Sequence, residues 1–432
     1  MTAAEEDTPW LRLARISRND EENKRLWNGY QKYLLRPDID EYQRQMENPK
    51  FADIVDLSDA EIHSIQTEIP DLPKELGKHG PIFLTNRNTK IQRGLGLDGF
   101  YFAFRVVIEN TTFKRLLSLC DAQFAEHLDA FKCDFEGGLI AINANFGSTT
   151  IFSNCHFIGR TYFDNTKFEN AIFDQANFQN ACAFENVEFA GRAVFKDSIF
   201  TNSANFYCVE FHDFTSFDLA AASSAAVPLS FQYAEFFKRP PRFFGRALHE
   251  DTDWTGVKLP DSKAQAALPR HLLEEDKRAY EQLRIKCGAL GKVEDEHLFF
   301  RKEMELTGRL SPWYTRATYW LYRLVSDYGY SYWRPIAGMG GLWALWSLFY
   351  ALHFMARDQL HLCMDRVELL RSIAGLSFAN IFAVFGFYRR FPSDLLVDPT
   401  VVTVLLTVSE TLLGFVFLFF LGLGLRTRFR LR

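Results

Sequence analysis

Residues 171–178 read Ala-Ile-Phe-Asp-Gln-Ala-Asn-Phe, so that each phenylalanine stands two places after an alanine. Working outward, a small residue followed two places later by phenylalanine recurs seventeen times over residues 111–217, first in steps of 11 residues and then in steps of 5 or 6. A helix has an apolar period of about 3.6 and an ordinary strand a period of about 2, so neither fits. The pattern indicates stacked coils with flat sides, each of which turns one large and one small side chain inward.

The position two places before each phenylalanine is always small or β-branched. Its occupants are Thr111, Ala122, Cys133, Ala144, Thr150, Cys155, Thr161, Thr166, Ala171, Ala176, Cys182, Val187, Ala193, Ser198, Ala204, Val209 and Thr215. This pattern resembles the pentapeptide-repeat family, with Phe rather than Leu at the central position. The resemblance implies a right-handed, four-sided β-helix, and the six-residue steps suggest one extra residue bulging at alternate corners.

Composition places the chain among folded proteins of several domains. Its 432 residues allow about two to four domains, and a 16% aromatic content excludes a disordered chain. A net charge of −5 gives no general attraction to nucleic acid or to acidic membranes. Cys133, Cys155 and Cys182 occupy the small position of the repeat, so we expect packed thiols in a reducing compartment. The first residues lack an apolar run, and we expect no signal peptide.

Residues 1–95 form a mostly helical region before the repeats. Charged residues alternate with apolar ones at helical spacing in residues 19–48, and Ser58 with Glu61 has the spacing of a capping box. Because the ends of a solenoid expose apolar rungs, this region is either a cap on the open end or a regulatory, partner-binding domain.

We place the solenoid at residues 96–258. Phe231, Phe236 and Trp254 continue the ladder in a degenerate form, with Ala234 and Thr252 in the small positions, and residues 238–244 are expected to be an irregular turn. Some members of the family mimic DNA and inhibit DNA gyrase. Over residues 111–217 the net charge is −6, whereas duplex DNA of the expected length of about 24 Å carries about 14 charges. A gyrase-binding DNA mimic is therefore a minor alternative, and we expect no nucleic-acid partner.

The sequence predicts a helical hairpin at residues 265–310, which links the solenoid to the C-terminal part of the chain. It predicts an amphipathic helix at a membrane interface for residues 311–333, because Trp, Tyr and Arg alternate there. The acidic residues 294–296 and His297 point in different directions on a helix, so a solvated helix start is expected rather than a metal site.

Residues 334–432 predict a membrane domain with a lipid bilayer as its surroundings. Residues 335–356 and 401–425 are two apolar spans, each long enough to cross a bilayer. The distribution of Arg and Lys around them favours cytoplasmic N- and C-termini. The whole pattern resembles bacterial inner-membrane proteins that join pentapeptide repeats to a C-terminal membrane domain.

Between the spans, residues 373–388 are uncharged and short, which suits a re-entrant helix. The layout resembles two-helix cation-channel pores, and residues 384–388 (Val-Phe-Gly-Phe-Tyr) look like a decayed potassium filter. Potassium selectivity is not expected, since Tyr388 does not readily adopt filter backbone angles and Arg389 opposes cations. The candidates for an ion pathway are Ser377, Asn380, Val384, Gly386, Tyr388, Arg389 and Glu410.

Glu410 is the one charged residue of the second span. A carboxylate at this depth faces a bundle interior or water. It belongs either to an ion pathway or to a packing contact through a hydrogen bond with Ser409 or Ser377. Gly414 and Gly422 are candidates for close helix packing or for a hinge.

No catalytic set, phosphate loop or metal-ligand spacing is present in the sequence, so we expect neither an enzyme nor a cofactor. The first hypothesis is an oligomeric, channel-like protein, a tetramer by analogy with pores, with the solenoid as a cytoplasmic sensor. The second is a membrane-anchored scaffold that presents the solenoid to a cytoplasmic protein partner.

Overall fold

The structure is a computed structural model that describes residues 7–74, 81–220, 226–261, 263–356, 366–387 and 399–429. The chain divides into two compact units, Met1–Glu296 and His297–Arg432, and each is described by itself.

The first unit contains a β-solenoid of about seven turns, in which short parallel strands stack in four ladders. Ladder one contains Ile82–Phe83, Val106–Glu109, Leu128–Phe131, the second half of Asn145–Ser153, the second half of Lys167–Ile172, Ala193–Val194 and Thr215–Ser216. Ladder two contains Lys90–Ile91, Thr112–Phe113, Asp134–Phe135, His156–Phe157, Asn177–Phe178 and Ile199–Phe200.

Ladder three contains Leu95–Gly96, Leu117–Ser118, Leu139–Ile140, Thr161–Tyr162, Cys182–Ala183, Ala204–Asn205 and Leu229–Ser230. Ladder four contains Tyr101–Phe102, Gln123–Phe124, the first halves of Asn145–Ser153 and Lys167–Ile172, Glu188–Phe189, Glu210–Phe211 and Glu235–Phe236. One turn takes 21 or 22 residues in the centre of the solenoid, as the pairings of Asp134 with His156 and of His156 with Asn177 show.

The core is a stack of phenylalanine rings. All seventeen predicted phenylalanines and the small residues before them are buried. Rings on successive turns lie parallel: Phe173 and Phe195 have centroids 4.9 Å apart and planes at 3°. Rings on opposite ladders meet edge to face across the core, as Phe184 does with Phe195 at 5.6 Å and 89°. Parallel and edge-to-face contacts are both favourable for aromatic rings, so each turn is held by its neighbours.

The corners explain why the repeat is not strictly five. At five-residue steps the chain turns through a left-handed residue two places after phenylalanine, such as Asn165 (φ 56°) and Asn186 (φ 55°). Asparagine tolerates this conformation better than most residues. At a six-residue step, the register shifts by one residue between Phe146 and Thr149, which is the extra residue that the sequence predicts at alternate corners.

The ladder continues beyond residue 217 as the sequence predicts, because Phe231 stacks on Phe206 at 5.1 Å and Trp254 on Phe231 at 4.7 Å. Two details differ from expectation. Residues 238–244 are not merely an irregular turn, since Phe243 is buried and stacks on Phe217 at 5.0 Å. The first strand begins at Ile82, well before residue 96.

Within residues 7–74, five helices precede the solenoid: α1 (Pro9–Leu13), α2 (Asp20–Leu35), α3 (Ile39–Met46), α4 (Pro49–Ala52) and α5 (Asp59–Glu68). The capping box of Ser58 and Glu61 begins α5 as predicted. Trp27 of α2 is fully buried, packs on Phe102 with centroids 5.3 Å apart, and donates from Nε1 to Tyr101 O at 2.9 Å. These contacts cover the first turn of the solenoid.

Helix α6 (Arg270–Ala289) lies against the last turn. Asp276 of α6 is buried and accepts hydrogen bonds from Arg239 Nε (2.8 Å) and Nη2 (2.6 Å). Lys286 Nζ donates to Phe243 O and, at 2.7 Å, to Arg246 O. The side chains of α6 thus bind an arginine and backbone carbonyls at the end of the solenoid.

The remaining helices are α7 (Val293–Leu310), α8 (Trp313–Ser326), α9 (Trp333–Ala356), α10 (Arg366–Ile381) and α11 (Val401–Phe429), with a 3₁₀ turn at Ala383–Phe385. In the second unit, α10 packs against both α9 and α11. The sequence predicts a short uncharged helix at residues 373–388, whereas α10 starts at Arg366 and ends at Ile381. The helix can begin before residue 373 because the charged residues Glu368 and Arg371 occupy exposed positions in its first turns.

Candidate functional site

Helices α9 and α11 contain stretches that are long and apolar enough to cross a membrane, Trp333–Met355 and Val401–Thr427. Only 28% and 11% of the residues in their most apolar segments are buried within the chain. A core helix of a soluble protein is mostly buried, whereas these helices turn most of their apolar side chains outward.

Glu410 of α11 lies where α9, α10 and α11 meet, and its side chain is fully buried. Its Oε1 accepts a hydrogen bond from Ser377 Oγ of α10. Its Oε2 accepts from Asn380 Nδ2 of α10 at 2.9 Å and from the Tyr350 hydroxyl of α9 at 3.1 Å. Three donors from two helices therefore compensate for the removal of this carboxyl from water.

Further hydrogen bonds extend this cluster. Thr407 Oγ1, one turn before Glu410, lies 3.2 Å from the Tyr350 hydroxyl, and Asn380 Nδ2 donates to the same hydroxyl at 3.2 Å. Ser409 does not contact the carboxyl and donates to Leu406 O at 3.0 Å instead. Of the two packing partners considered for Glu410, the structure contains the bond with Ser377.

A second polar contact joins α9 to the start of α11. His353 Nε2 lies 3.1 Å from Thr400 Oγ1 and 3.2 Å from Thr403 Oγ1. Two tryptophans of α9 also donate to backbone carbonyls of the neighbouring helices, Trp343 to Ala374 O at 2.9 Å and Trp346 to Leu406 O at 3.0 Å. The three helices are thus joined by polar contacts on the faces that they turn towards one another.

The segment that resembles a filter is not extended. Val384 lies in the 3₁₀ turn, and Gly386 comes directly after this turn with φ 72°. Phe385 N donates to Phe382 O at 2.9 Å and Gly386 N to Ala383 O at 3.0 Å. These bonds fold the chain into a tight turn at the start of residues 384–388, whereas a carbonyl filter lines up successive backbone carbonyls towards the ion. Tyr388 and Arg389 lie outside the described residues.

The two candidate glycines differ. A Cβ on Gly414 would lie 2.8 Å from Ile381 Cα, so the absence of a side chain permits α11 to approach the end of α10. A Cβ on Gly422 would meet nothing within 4 Å. Close packing therefore applies to Gly414 and not to Gly422 within the described chain.

The outward positions of the solenoid vary between ladders. On ladder one, Ile151, Ile172 and Val194 occupy equivalent positions on three successive turns and are half-buried. On ladder four, outward carboxylates pair with lysines of adjacent turns, as Glu188 does with Lys167 at 2.8 Å and Glu235 with Lys258 at 2.9 Å. The solenoid thus has one apolar side strip and a side of paired charges.

The family model described as "Pentapeptide repeats (9 copies)" matches residues 141–187. This part of the β-solenoid consists of pentapeptide repeats. No curated protein and no solved structure is significantly similar to the chain. The match lies in the part of the solenoid where phenylalanine occupies nearly every central position, in steps of 5 or 6 residues.

The sequence singled out three members of the Glu410 cluster, Ser377, Asn380 and Glu410, but not Tyr350 or Thr407. Tyr350 is one of few hydroxyl-bearing residues in residues 335–356, so its residue type could have identified it. Thr407 stands one helical turn before Glu410, so its spacing could have identified it. Among the described residues, no group of three or more His, Cys, Asp or Glu is placed to hold a metal ion.

Proposed function

We propose that the protein is a membrane-anchored scaffold, in which α9 and α11 hold the chain in a bilayer and the pentapeptide-repeat solenoid binds a cytoplasmic protein partner. The observation that carries this proposal is the contrast between the surfaces of the two units. Helices α9 and α11 expose most of their apolar side chains, whereas the solenoid buries its phenylalanines and has mostly polar sides.

Helix α8 supports the membrane side of the proposal. Trp313, Tyr314 and Trp320 are all strongly exposed, Trp313 at 83%. Leu321 and Leu324 extend the exposed apolar surface. Tryptophan and tyrosine concentrate at the level of lipid headgroups, because their rings are apolar and their N–H and O–H groups need water or headgroup partners. In this proposal α8 lies in the bilayer interface, the membrane is the bacterial inner membrane, and both termini are cytoplasmic.

The apolar strip of Ile151, Ile172 and Val194 supports the partner-binding side. Parallel strands in register place these side chains in one row on ladder one. An apolar row on a rigid solenoid matches the apolar centre of protein–protein interfaces, which a polar rim surrounds. A protein with a complementary apolar ridge is the partner that such a row fits.

Two experiments test the scaffold. The full chain should remain with membranes after washing at high salt and alkaline pH, and a chain ending at residue 296 should be released.

For the partner, a photo-crosslinking amino acid replaces Ile172 in intact cells, with the polar outward position Asn177 of ladder two as the matched control. We expect one adduct of defined mass from position 172, abolished by Ile151→Lys with Val194→Lys. Adducts at neither position, or equal adducts at both, would contradict the proposal.

A second candidate function is ion conduction by an oligomer, and the Glu410 cluster favours it. Helix α10 lies between α9 and α11 and binds the buried carboxyl through Ser377 and Asn380. Buried carboxyls in membrane segments commonly mark ion or proton pathways. Two spans cannot enclose a pore, so three or more subunits are required. The 3₁₀ turn at Ala383–Phe385, in place of a filter-like backbone, is the reason why we place this function second.

Conductance in planar bilayers tests the second candidate. The purified protein should give currents that change in Glu410→Gln and stay the same in the neighbouring Ser409→Ala. A monodisperse monomer without current would exclude conduction and leave the scaffold proposal intact. We do not propose a DNA mimic, because paired charges such as Lys167 and Glu188 reduce the negative field of ladder four.

A further inference from the structure

A cleft of about 480 Å³ lies between the N-terminal helices and the first turn of the solenoid. Its walls come from the segment around α1, the end of α5, and the strand Lys90–Ile91 with the corner after it. Its volume is in the range of small-molecule sites, which is roughly 300–1,000 Å³. The cleft is therefore large enough for a small organic ligand.

Two arginines of the cleft are held in place by carboxylates and still have nitrogen atoms without an acceptor. Arg12 Nη2 pairs with Asp71, and Arg15 Nη1 with Asp7 at 3.2 Å. In the part of the chain that the structure describes, Arg12 Nε and Arg15 Nη2 are buried and have no hydrogen-bond partner. Both atoms are closed off from solvent, so they do not face the cleft; the rest of each side chain does, since 33% of the Arg12 side chain and 29% of the Arg15 side chain stay exposed while Asp71 and Asp7 hold them in place.

Two further cations stand at the exposed side of the same cleft. Lys90 and Arg93 are exposed, and neither forms an ion pair with a described carboxylate. Four cationic residues line the cleft against the carboxylates of Asp7 and Glu68, and one of these, Asp7, is already bound to Arg15. Because Asp71 and Asp7 are paired with Arg12 and Arg15, the unused positive charge of the cleft is that of Lys90 and Arg93, with Glu68 as the remaining carboxylate beside them.

We infer that this cleft binds a small organic phosphate, whose phosphate oxygens accept from Lys90 and Arg93 and from the exposed side of the Arg12 and Arg15 guanidinium groups. Phosphate suits this set because one group offers several acceptor oxygens, and arginine and lysine donate strong charge-assisted hydrogen bonds to it. Ile16, Ile69 and Ile91 supply apolar wall for the organic part of the ligand. The N-terminal region is then a ligand-binding element as well as a cover for the first turn.

Isothermal titration calorimetry on the full chain in detergent tests this inference with ADP, inorganic pyrophosphate and adenosine as probes. We expect ADP and pyrophosphate to bind and adenosine not to bind. The exposed pair Lys90→Gln with Arg93→Gln should weaken the affinity by about tenfold or more, since it removes two charge-assisted partners. The matched control is Arg192→Gln with Lys196→Gln, a basic pair of similar spacing elsewhere on the solenoid, which should leave the affinity unchanged.

Arg15→Lys provides a second variant, because it keeps the charge and removes the planar guanidinium, which can donate to two phosphate oxygens at once; it should also weaken binding at an unchanged melting temperature. A short-chain phosphatidic acid distinguishes the source: tighter binding of this lipid than of ADP assigns a lipid headgroup as the organic phosphate, and the reverse assigns a soluble metabolite. No binding of any phosphate, or an equal loss in the cleft and control pairs, would overturn the inference. The scaffold proposal is unaffected by either result.

Discussion

Asn380 Nδ2 donates a hydrogen bond to Glu410 Oε2 over 2.9 Å and so ties the short helix α10 to α11. Tyr350 of α9 binds the same oxygen at 3.1 Å, so one carboxyl joins three helices. The contact explains how a polar residue is retained in an otherwise apolar helix, since its cost of burial is offset by donors from its neighbours.

Replacement of this carboxyl should destabilise the second unit. Glu410→Leu removes the acceptor that Ser377, Asn380 and Tyr350 share; Ser377 and Asn380 then keep only longer hydrogen bonds of 3.2 Å, to Trp343 O and to the Tyr350 hydroxyl, and each buried group impaired in this way costs about 1–3 kcal/mol. We expect the free energy of unfolding in detergent to fall by about 2–4 kcal/mol, and by less in Glu410→Gln, which retains one acceptor oxygen. Ser409→Ala is the neighbouring control. An unchanged stability of Glu410→Leu would show that the cluster does not hold the helices together.

The contact between Arg239 and Asp276 should be essential for the end of the solenoid. Asp276→Asn removes the buried charge beside Arg239, which then keeps only the more exposed Glu275 at 3.2 Å; breaking a buried pair costs about 3–5 kcal/mol, and we expect the lower end of this range. The control is Asp213→Asn, whose pair with Lys238 at 2.7 Å is exposed and should contribute less than about 1 kcal/mol. Denaturant unfolding measures both variants. Equal effects of the two substitutions would contradict the assignment of the buried pair.

Lys286 should make stability depend on pH. Burial lowers the pKa of Lys286 from 10.5 to about 8. Between these values the unfolded chain binds more protons than the folded one, so the free energy of unfolding rises with pH across this window, and below about pH 8 this group gives no slope.

The comparison of the wild type with Lys286→Met isolates this effect, which we expect to be on the order of 1–2 kcal/mol between about pH 8 and 10. The comparison is necessary because burial also raises the pKa of Cys287 to about 12, which gives a slope of opposite sign at alkaline pH. Denaturant unfolding at a series of pH values provides the measurement. A difference between wild type and variant that does not change over this window would refute the prediction.

The left-handed corners predict a difference between substitutions at one exposed site. Asn186 has φ 55°, so Asn186→Val should destabilise the solenoid by about 1–2 kcal/mol and Asn186→Gly should be nearly neutral. Gln179→Val, at an exposed position of the next ladder, should change the stability by less than about 0.5 kcal/mol. Thermal unfolding of the variants checks the order. Similar melting temperatures for Asn186→Val and Asn186→Gly would count against the corner geometry.

The solenoid could be predicted from the sequence because each residue of its core has a fixed position in a short repeat. The start at Ile82 was missed because Leu84, Ile91 and Leu97 occupy central positions that later turns give to phenylalanine. Leu119, Ala130 and Ala141 do the same on the following turns, where two short steps become one of 11 residues. Phe243 escaped because it comes after the two prolines Pro240 and Pro241 at an irregular step, although its ring stacks on Phe217.

For the candidate site, the sequence indicated a buried carboxyl with a hydroxyl partner from the short helix, but not the geometry around it. Tyr350 is on another helix, and its distance from Glu410 depends on how α9 packs against α11, which no local pattern encodes. The filter resemblance rested on residue types, whereas the backbone after α10 is drawn by its own hydrogen bonds into a 3₁₀ turn. The spacing of residues along one helix or strand could be interpreted from the sequence, whereas the contacts between separate helices could not be predicted from it.

Both ends of the solenoid are covered, by Trp27 and its neighbours at the first turn and by the lysine and aspartate side chains of α6 at the last. An open rung presents unpaired amide and carbonyl groups in the register of the next rung, so two uncovered molecules would add to one another end on end. The helices at the two ends therefore keep a chain of self-complementary coils from growing into fibres.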